Sequence, residues 1–288
     1  INLLKFYFRR TLRIFVPFYF FLLVIFFTSN SGLTPPIPFK TFLTVISYSS
    51  NYISNNNWDI THSWSLSVEE QFYLLFPGIL AFLGVARTKK FLLAALLIAP
   101  ASRLWYFFHY GETDFFWFTT AFHHNMDALA IGGLLSLFRQ ELHSNSIYQY
   151  FLKKNFALLL PILVVILNNQ DDHPKFAVSA GISAVNLLIV LFLDWVVVNH
   201  ESLVGKVLNS RPMILTGMMS YSIYLWQQPF FNPDNKAIFA TFPYNLGVMI
   251  LASVLSYYLI EKKSLILRQS LENKLFKNKT QAIPIVQT

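Results

Sequence analysis

Ser63-Trp64-Ser65-Leu66-Ser67-Val68-Glu69-Glu70-Gln71-Phe72-Tyr73-Leu74-Leu75-Phe76-Pro77 sets two adjacent carboxylates in an apolar, aromatic stretch. The run continues to residue 84, which is long enough for a helix that crosses a bilayer. A charge at the centre of a membrane costs roughly 2.5–3.5 kcal/mol on insertion scales, so acids in such helices face a protein interior, a partner or a wet cavity. Glu69 forms an i, i+3, i+4, i+7 stripe with Phe72, Tyr73 and Phe76, a spacing that turns it into a helix bundle. Glu70 lies about 100° further round and reads as a structural acid.

The composition of the whole chain agrees with a membrane setting. Hydrophobic residues make up 55% of the 288, charged residues 12%, and the mean hydropathy is +0.46. Soluble domains carry about 25% charged residues, twice this fraction. The 30 Phe, 14 Tyr and 6 Trp suit lipid contact and the aromatic belts at bilayer edges. There is no cysteine, which excludes disulfides, thiolate-bound zinc and a thiol nucleophile. No phosphate-cradling glycine loop, HExxH or GxSxG occurs, which argues against an ATPase, a zinc protease and an α/β hydrolase.

Apolar runs of spanning length predict an all-α bundle of eight transmembrane helices near 11–28, 63–84, 91–110, 115–138, 155–169, 176–198, 212–231 and 241–260. The run at 155–169 is short and contains Pro161, so a tilted or kinked span is expected there. Residues 39–55 mix aromatic and polar side chains and read as an interfacial helix. The chain thus divides into a membrane-embedded domain, 1–260, and a basic tail, 261–288, that begins as a surface helix and ends disordered. Lys and Arg alternate with these spans: eighteen lie on one side and only Lys40, Lys175 and Lys236 on the other. That positive-inside bias puts both termini in the cytoplasm and explains the net charge of +8 without nucleic acid. The NxT at Asn278 then falls on the cytoplasmic side, where it stays unglycosylated.

Several polar groups on these helices are candidates for chemistry. Arg10 and Arg13 share a helix face, so two guanidinium forks can converge on phosphate; as lipid anchors they would need no such convergence. Arg103 sits well inside the third span and needs an anion, with Glu69 one candidate partner. His123, His124 and Asp127 stand on neighbouring turns, either as a relay or sugar site or as a polar cluster packed on Arg103. No further well-placed ligand accompanies them, which leaves no metal site. His62 precedes Trp64 at the outer edge of its span, where an acceptor would arrive. Asp194 near the inner end of the sixth span calls for an Arg or Lys.

Four blocks give these residues a context. Ile60-Thr61-His62-Ser63-Trp64-Ser65-Leu66-Ser67-Val68-Glu69-Glu70-Gln71-Phe72-Tyr73-Leu74, Asp127-Ala128-Leu129-Ala130-Ile131-Gly132-Gly133, Ser220-Tyr221-Ser222-Ile223-Tyr224-Leu225-Trp226 and Ser256-Tyr257-Tyr258-Leu259-Ile260-Glu261-Lys262 occur in this order. Together they resemble the acyltransferase-3 family of polytopic membrane O-acyltransferases, and Arg10-Thr11-Leu12-Arg13 is similar to the paired-arginine motif of that family. The resemblance implies transfer of an acyl group, often acetyl, from cytoplasmic acyl-CoA to a hydroxyl of a cell-envelope glycan or lipid-linked sugar in the bacterial inner membrane. It implies no permanently bound cofactor and makes acyl-CoA, the acceptor sugar and membrane lipid the partners, with no nucleic acid. On this reading Glu69, His62 and Asp127 are the catalytic candidates, and Arg10, Arg13 and Arg103 the donor-binding ones.

The sequence departs from the family pattern at Gln227, where a histidine is usual, and at Lys263, where proline often follows. The chain opens on Ile1, and the family's histidine-bearing first span has no counterpart, so a fragment of limited activity is expected. A non-catalytic remnant and a transporter or flippase are the competing classes; inverted internal repeats would favour the second, and none is visible. The charge partition generates a test. Single-cysteine labelling is expected to reach Thr88, Ser144 and Ser270 from the cytoplasm and Gly111, Asn169 and Asn235 from outside. Labelling of Ser144 and Asn169 from one side would remove the fifth span.

Overall fold

A computed structural model describes residues 2–53, 57–111, 120–169, 174–232, 235 and 238–276. Its described elements are helices and helical turns without a strand, an all-α polytopic bundle. Two compact units account for them. One comprises the described residues of Ile1–Ser47, Asn55–His62 and Leu215–Thr288, the other those of Tyr48–Ser54 and Ser63–Ile214.

The first unit begins with α1 (Leu3–Asn30), capped by the Asn2 side chain, which accepts a hydrogen bond from the Lys5 amide at 3.0 Å. Ile14, Pro17, Phe18, Phe21, Leu22 and Ile25 form its buried stripe, at the helical spacing of 3 and 4 residues. The outer face carries Val16, Leu23, Phe26 and Phe27, all exposed. A helix apolar on both faces belongs in lipid. Then come α2 (Phe39–Ile46) and the four-residue α3 (Trp58–Thr61).

The second unit is built on α4 (Ser63–Tyr110) and α5 (Phe122–Ser144), joined through Phe72, Leu92, Ala95, Ala130 and Leu134. The small residues Ala95, Ala99 and Ala130 let the two backbones approach closely. A second cluster centres on Trp195, packed with Leu152, Ala157 and Leu160. It ties α6 (Ser146–Lys153) and α7 (Leu160–Asn168) to α8 (Ile182–Val198). The short α9 (Leu203–Leu208) follows, and α10 (Arg211–Phe230) starts in this unit and continues into the first. There α11 (Tyr244–Ser256), a π-turn at Tyr257–Glu261 and α12 (Lys262–Phe276) make one helical run.

The eight expected segments map unevenly onto these helices. Among the described residues four helices have the length and apolarity to cross a bilayer: Leu3–Asn30, Trp58–Tyr110, Val178–Val198 and Tyr244–Phe276. A bent pair, Ser146–Lys153 with Phe156–Asn168, would add a fifth. The segments at 63–84 and 91–110 are the two halves of α4, and the fifth segment is a 3₁₀ turn, Asn155–Leu159, that runs into the nine-residue α7. The start of the fourth, 115–119, lies outside the described residues. α5 and α10, at 23 and 20 residues, are long enough but too polar, because Asp127, His124 and Ser222 are spent on contacts inside their units. The interfacial helix expected at 39–55 is the eight-residue α2, closed off before Tyr48, which has φ 52°, and followed by a 3₁₀ turn at Ser50–Tyr52. Of the tail expected at 261–288, the part to Phe276 continues the preceding helix; the expected disordered end and Asn278 lie outside the described residues.

The break inside α4 is a single residue. Gly84 has φ 74° and ψ 170°, a region that side chains with a Cβ essentially never occupy. Nothing lies within 4 Å of the position a Cβ would take, so the restriction is conformational and not steric crowding by neighbours. Gly84→Ala is expected to destabilise the detergent-solubilised protein by about 1–3 kcal/mol in thermal unfolding. Gly78→Ala, at an open helical position of the same element, should be neutral or stabilising by up to about 1 kcal/mol.

Candidate functional site

In the first unit, the start of α1 and the side of α12 enclose a cleft of about 500 Å³ lined by Asn2, Lys5, Phe6, Arg9, Arg10, Arg13 and Arg268. The sequence placed Arg10 and Arg13 on one face; the fold adds Lys5, Arg9 and Arg268 around them. Glu272 of α12 accepts from Arg9 Nε at 2.7 Å and from Arg9 Nη2, and pairs with Lys5 Nζ at 3.1 Å. Ser264 Oγ donates to the Leu12 carbonyl and Tyr221 Oη to the Ile14 carbonyl at 2.9 Å, so the turn of α1 that carries Arg10 and Arg13 is held by both α10 and α12. Ser222 Oγ donates to Glu261 at 2.6 Å, which joins two of the sequence blocks directly.

Eight residues beyond Arg13, about 12 Å by helix rise, Phe21 meets His62 edge-on with ring centroids 5.8 Å apart. His62 is buried, and Tyr224 packs on its ring at 5.0 Å while donating from Oη to the His62 carbonyl at 2.5 Å. Trp226 closes the other side of Phe21 at 5.3 Å. Asp59, one turn before His62, is 2% exposed. Asn232 Nδ2 donates to Asp59 Oδ1 at 3.2 Å, whereas Oδ2 meets no hydrogen-bond partner among the described residues. A buried carboxylate oxygen left open is a polar position available to a hydroxyl. Sequence reasoning passed over Asp59, although its spacing to His62 of i, i+3 carried the signal.

The second unit uses its polar groups on itself. Arg103, 1% exposed, donates from Nε to the Val178 carbonyl at 2.7 Å and from Nη1 to the His124 carbonyl and to Asp127 Oδ1 at 3.2 Å. Its Nη2 reaches Asp127 Oδ2 at 2.9 Å, Ser183 Oγ at 2.7 Å and the Ser179 carbonyl at 3.3 Å. Ser183 in turn donates to Asp127 Oδ2 at 2.5 Å. All five guanidinium N–H groups therefore have protein acceptors. Of the two readings of the His123, His124 and Asp127 triplet, this geometry is the polar cluster packed on Arg103, with His123 exposed. It also corrects two expectations: Asp127, not Glu69, is the partner of Arg103, and Arg103 has no N–H left for a donor phosphate.

Glu69 needs a correction too. It is exposed, while Phe72 of its stripe is buried and stacked on Phe76 at 5.0 Å. The face of α4 that turns inward is instead Ser63, Ser67 and Gln71, spaced by four. Ser50 Oγ lies 3.1 Å from Ser63 Oγ and 2.9 Å from Ser67 Oγ. Gln71 Nε2 donates to Asn51 Oδ1 at 2.8 Å and to the Tyr48 carbonyl at 2.9 Å. The serines of the block are thus docking groups for the Ser50–Tyr52 turn. Asp194 meets Arg139 at 3.3 Å, as its position called for, and also His143 and Tyr148, each at 2.8 Å. Among the described residues no three His, Asp or Glu side chains are grouped to hold a metal ion.

The profile of the acyltransferase-3 family, described as an acyltransferase domain, matches residues 1–261. The O-acetyltransferase OatA of Staphylococcus aureus strain NCTC 8325 / PS 47 is 26% identical over 80% of the chain, and that of strain COL gives the same figures. The chain spans 41% of the length of these relatives. No solved structure matches it.

Breaking a buried ion pair by removing one partner costs about 3–5 kcal/mol, because the other charge is left unmet, whereas replacing both with apolar groups can be neutral. Arg103→Met and Asp127→Leu are each expected to lower thermal stability in detergent by that amount. The double variant should be more stable than either single one. Additive losses would show that the pair carries no coupling.

Proposed function

The chain belongs to the acyltransferase-3 family, and on that premise we propose that it transfers an acyl group, acetyl by analogy with OatA, from acyl-CoA to a hydroxyl of a cell-envelope glycan or lipid-linked sugar. The observation that carries this reading is the arrangement along α1: a basic cleft at Arg10 and Arg13, and about 12 Å further the buried imidazole of His62 against Phe21. Acyl-CoA has the same polarity, with its phosphates at one end and its thioester at the other. Arg10 and Arg13 meet the phosphates, for which guanidinium forks are suited. His62 takes the proton of the acceptor hydroxyl as its oxygen attacks the thioester carbonyl; the carbon–sulfur bond breaks and the departing thiolate takes a proton. Asp59 Oδ2 positions the acceptor or the imidazole.

Glu69 and Asp127 enter differently. The saturated Arg103–Asp127 pair is assigned to holding α4, α5 and the π-turn Ala177–Gly181, which precedes α8, in register. Glu69 is left as an acceptor-side candidate on the exposed face of α4. The positive-inside pattern supports placing the donor cleft in the cytoplasm of a bacterium and the protein in its inner membrane.

The test uses membranes from a bacterial host expressing the chain, with labelled acetyl-CoA as donor and base-labile label on envelope glycan as the readout. Arg13→Ala is expected to raise KM for acetyl-CoA with little change in kcat. His62→Gln should lower kcat about 100-fold or more while acetyl-CoA binding is retained, the range general-base removal gives. Unchanged turnover in His62→Gln would move the base elsewhere, and unchanged KM in Arg13→Ala would reduce the arginine pair to lipid anchors.

A further inference from the structure

The family profile stops at residue 261, yet one wall of the basic cleft comes from beyond it. α12 runs alongside α1, fixed by Ser264 on the Leu12 carbonyl and by Phe276 against Phe8 at 5.8 Å. From this helix Arg268 lines the cleft opposite Arg10 and Arg13. Its Nε is buried and has no hydrogen-bond partner among the described residues. A buried guanidinium N–H without a protein acceptor is costly and calls for an explanation, a bound anion being one. The contrast with Arg103, whose every N–H is met by protein, is direct.

One turn further, Glu272 accounts for two of the remaining cations. Its carboxylate takes Arg9 in a two-point contact and Lys5 at 3.1 Å, with its own side chain 16% exposed. Lys5 and Arg9 are therefore paired from α12, and Arg10, Arg13 and Arg268 line the same cleft.

We infer that α12 is part of the phosphate site, Arg268 binding a phosphoryl group of the donor and Glu272 withholding Lys5 and Arg9 from it. The inference rests on the donor reading above and adds to it a ligand and a counter-ion outside the family's matched segment. The ligand class is a nucleotide bearing a diphosphate and a ribose phosphate. An anionic lipid headgroup offers the same phosphoryl chemistry, so the experiment separates the two.

The full chain is reconstituted in phosphatidylcholine nanodiscs, with and without phosphatidylglycerol, and binding of coenzyme A and 3′-dephospho-coenzyme A is measured by calorimetry. Arg268→Gln is expected to weaken coenzyme A about tenfold or more, as loss of a charge-assisted hydrogen bond does, and Arg268→Lys to recover part of it. Glu272→Gln is expected to tighten coenzyme A several-fold by releasing Lys5 and Arg9, a gain that a misfolded variant cannot give. Arg87→Gln, an exposed basic position outside the cleft, should match the parent. Parent-like binding by Arg268→Gln alongside weakened binding by Arg13→Ala overturns the inference and leaves the donor reading standing. Parent-like binding by both overturns both. If Arg268→Gln changes only retention of phosphatidylglycerol, the site holds lipid and the inference falls.

Discussion

A polar group carried on an apolar helix has no water to turn to, so it must be met by protein or by a ligand, and the architecture follows from how that demand is met. In the second unit it is met internally. Arg103 is the extreme case: a guanidinium at 1% exposure whose acceptors come from Asp127, Ser183 and three main-chain carbonyls. Satisfying it draws α4, α5 and the π-turn before α8 together at one point. The Ser50, Ser63 and Ser67 cluster and the Asn51–Gln71 pair meet the same demand where the turn at Ser50–Tyr52 docks.

In the first unit the demand is met only in part, and the remainder is what marks a site. Glu261 is taken by Ser222, and Arg9 and Lys5 by Glu272. Arg268 Nε in the basic cleft and Asp59 Oδ2, three residues before His62, are left without hydrogen-bond partners among the described residues, as are Trp226 Nε1 and Ser256 Oγ. Arg268 and Asp59 differ in sign, which on the proposed reading suits one to the phosphates of the donor and the other to orienting the acceptor hydroxyl or the His62 imidazole. Family membership supplies the reaction class; the unmet atoms supply the addresses within the chain.

How much of this was legible in the sequence depended on how local the signal was. The apolar face of α1 and the shared face of Arg10 and Arg13 follow from helical period alone, and both are in the structure. Of the eight expected spans, α5 and α10 are less apolar than the four helices that can cross by length and composition, because they carry Asp127, His124 and Ser222 in contacts inside their units. Glu69 misled for a related reason. A carboxylate among aromatics looks buried by its stripe, but the inward face of α4 was set by a partner turn that presents serine and asparagine, which Ser63, Ser67 and Gln71 match and Glu69 does not. The partner of Arg103 lay 24 residues away, and the sequence offered it only as one of two readings, a polar cluster packed on Arg103, beside Glu69 as another acid.

Arg268 was the least legible of all, being one basic residue in a basic tail that charge counting assigns wholesale to membrane topology. Topology asks only that a cation lie on one side of the membrane, a demand that does not distinguish one Lys or Arg of α12 from another. It does not ask that one of them bury an Nε in a cleft with four cations from another helix, against electrostatic repulsion. Glu272 relieves that repulsion for Lys5 and Arg9. Arg10, Arg13 and Arg268 line the same cleft, so the feature that hides Arg268 in the sequence, its abundance of like neighbours, is in the fold what suits it to the phosphate role proposed above.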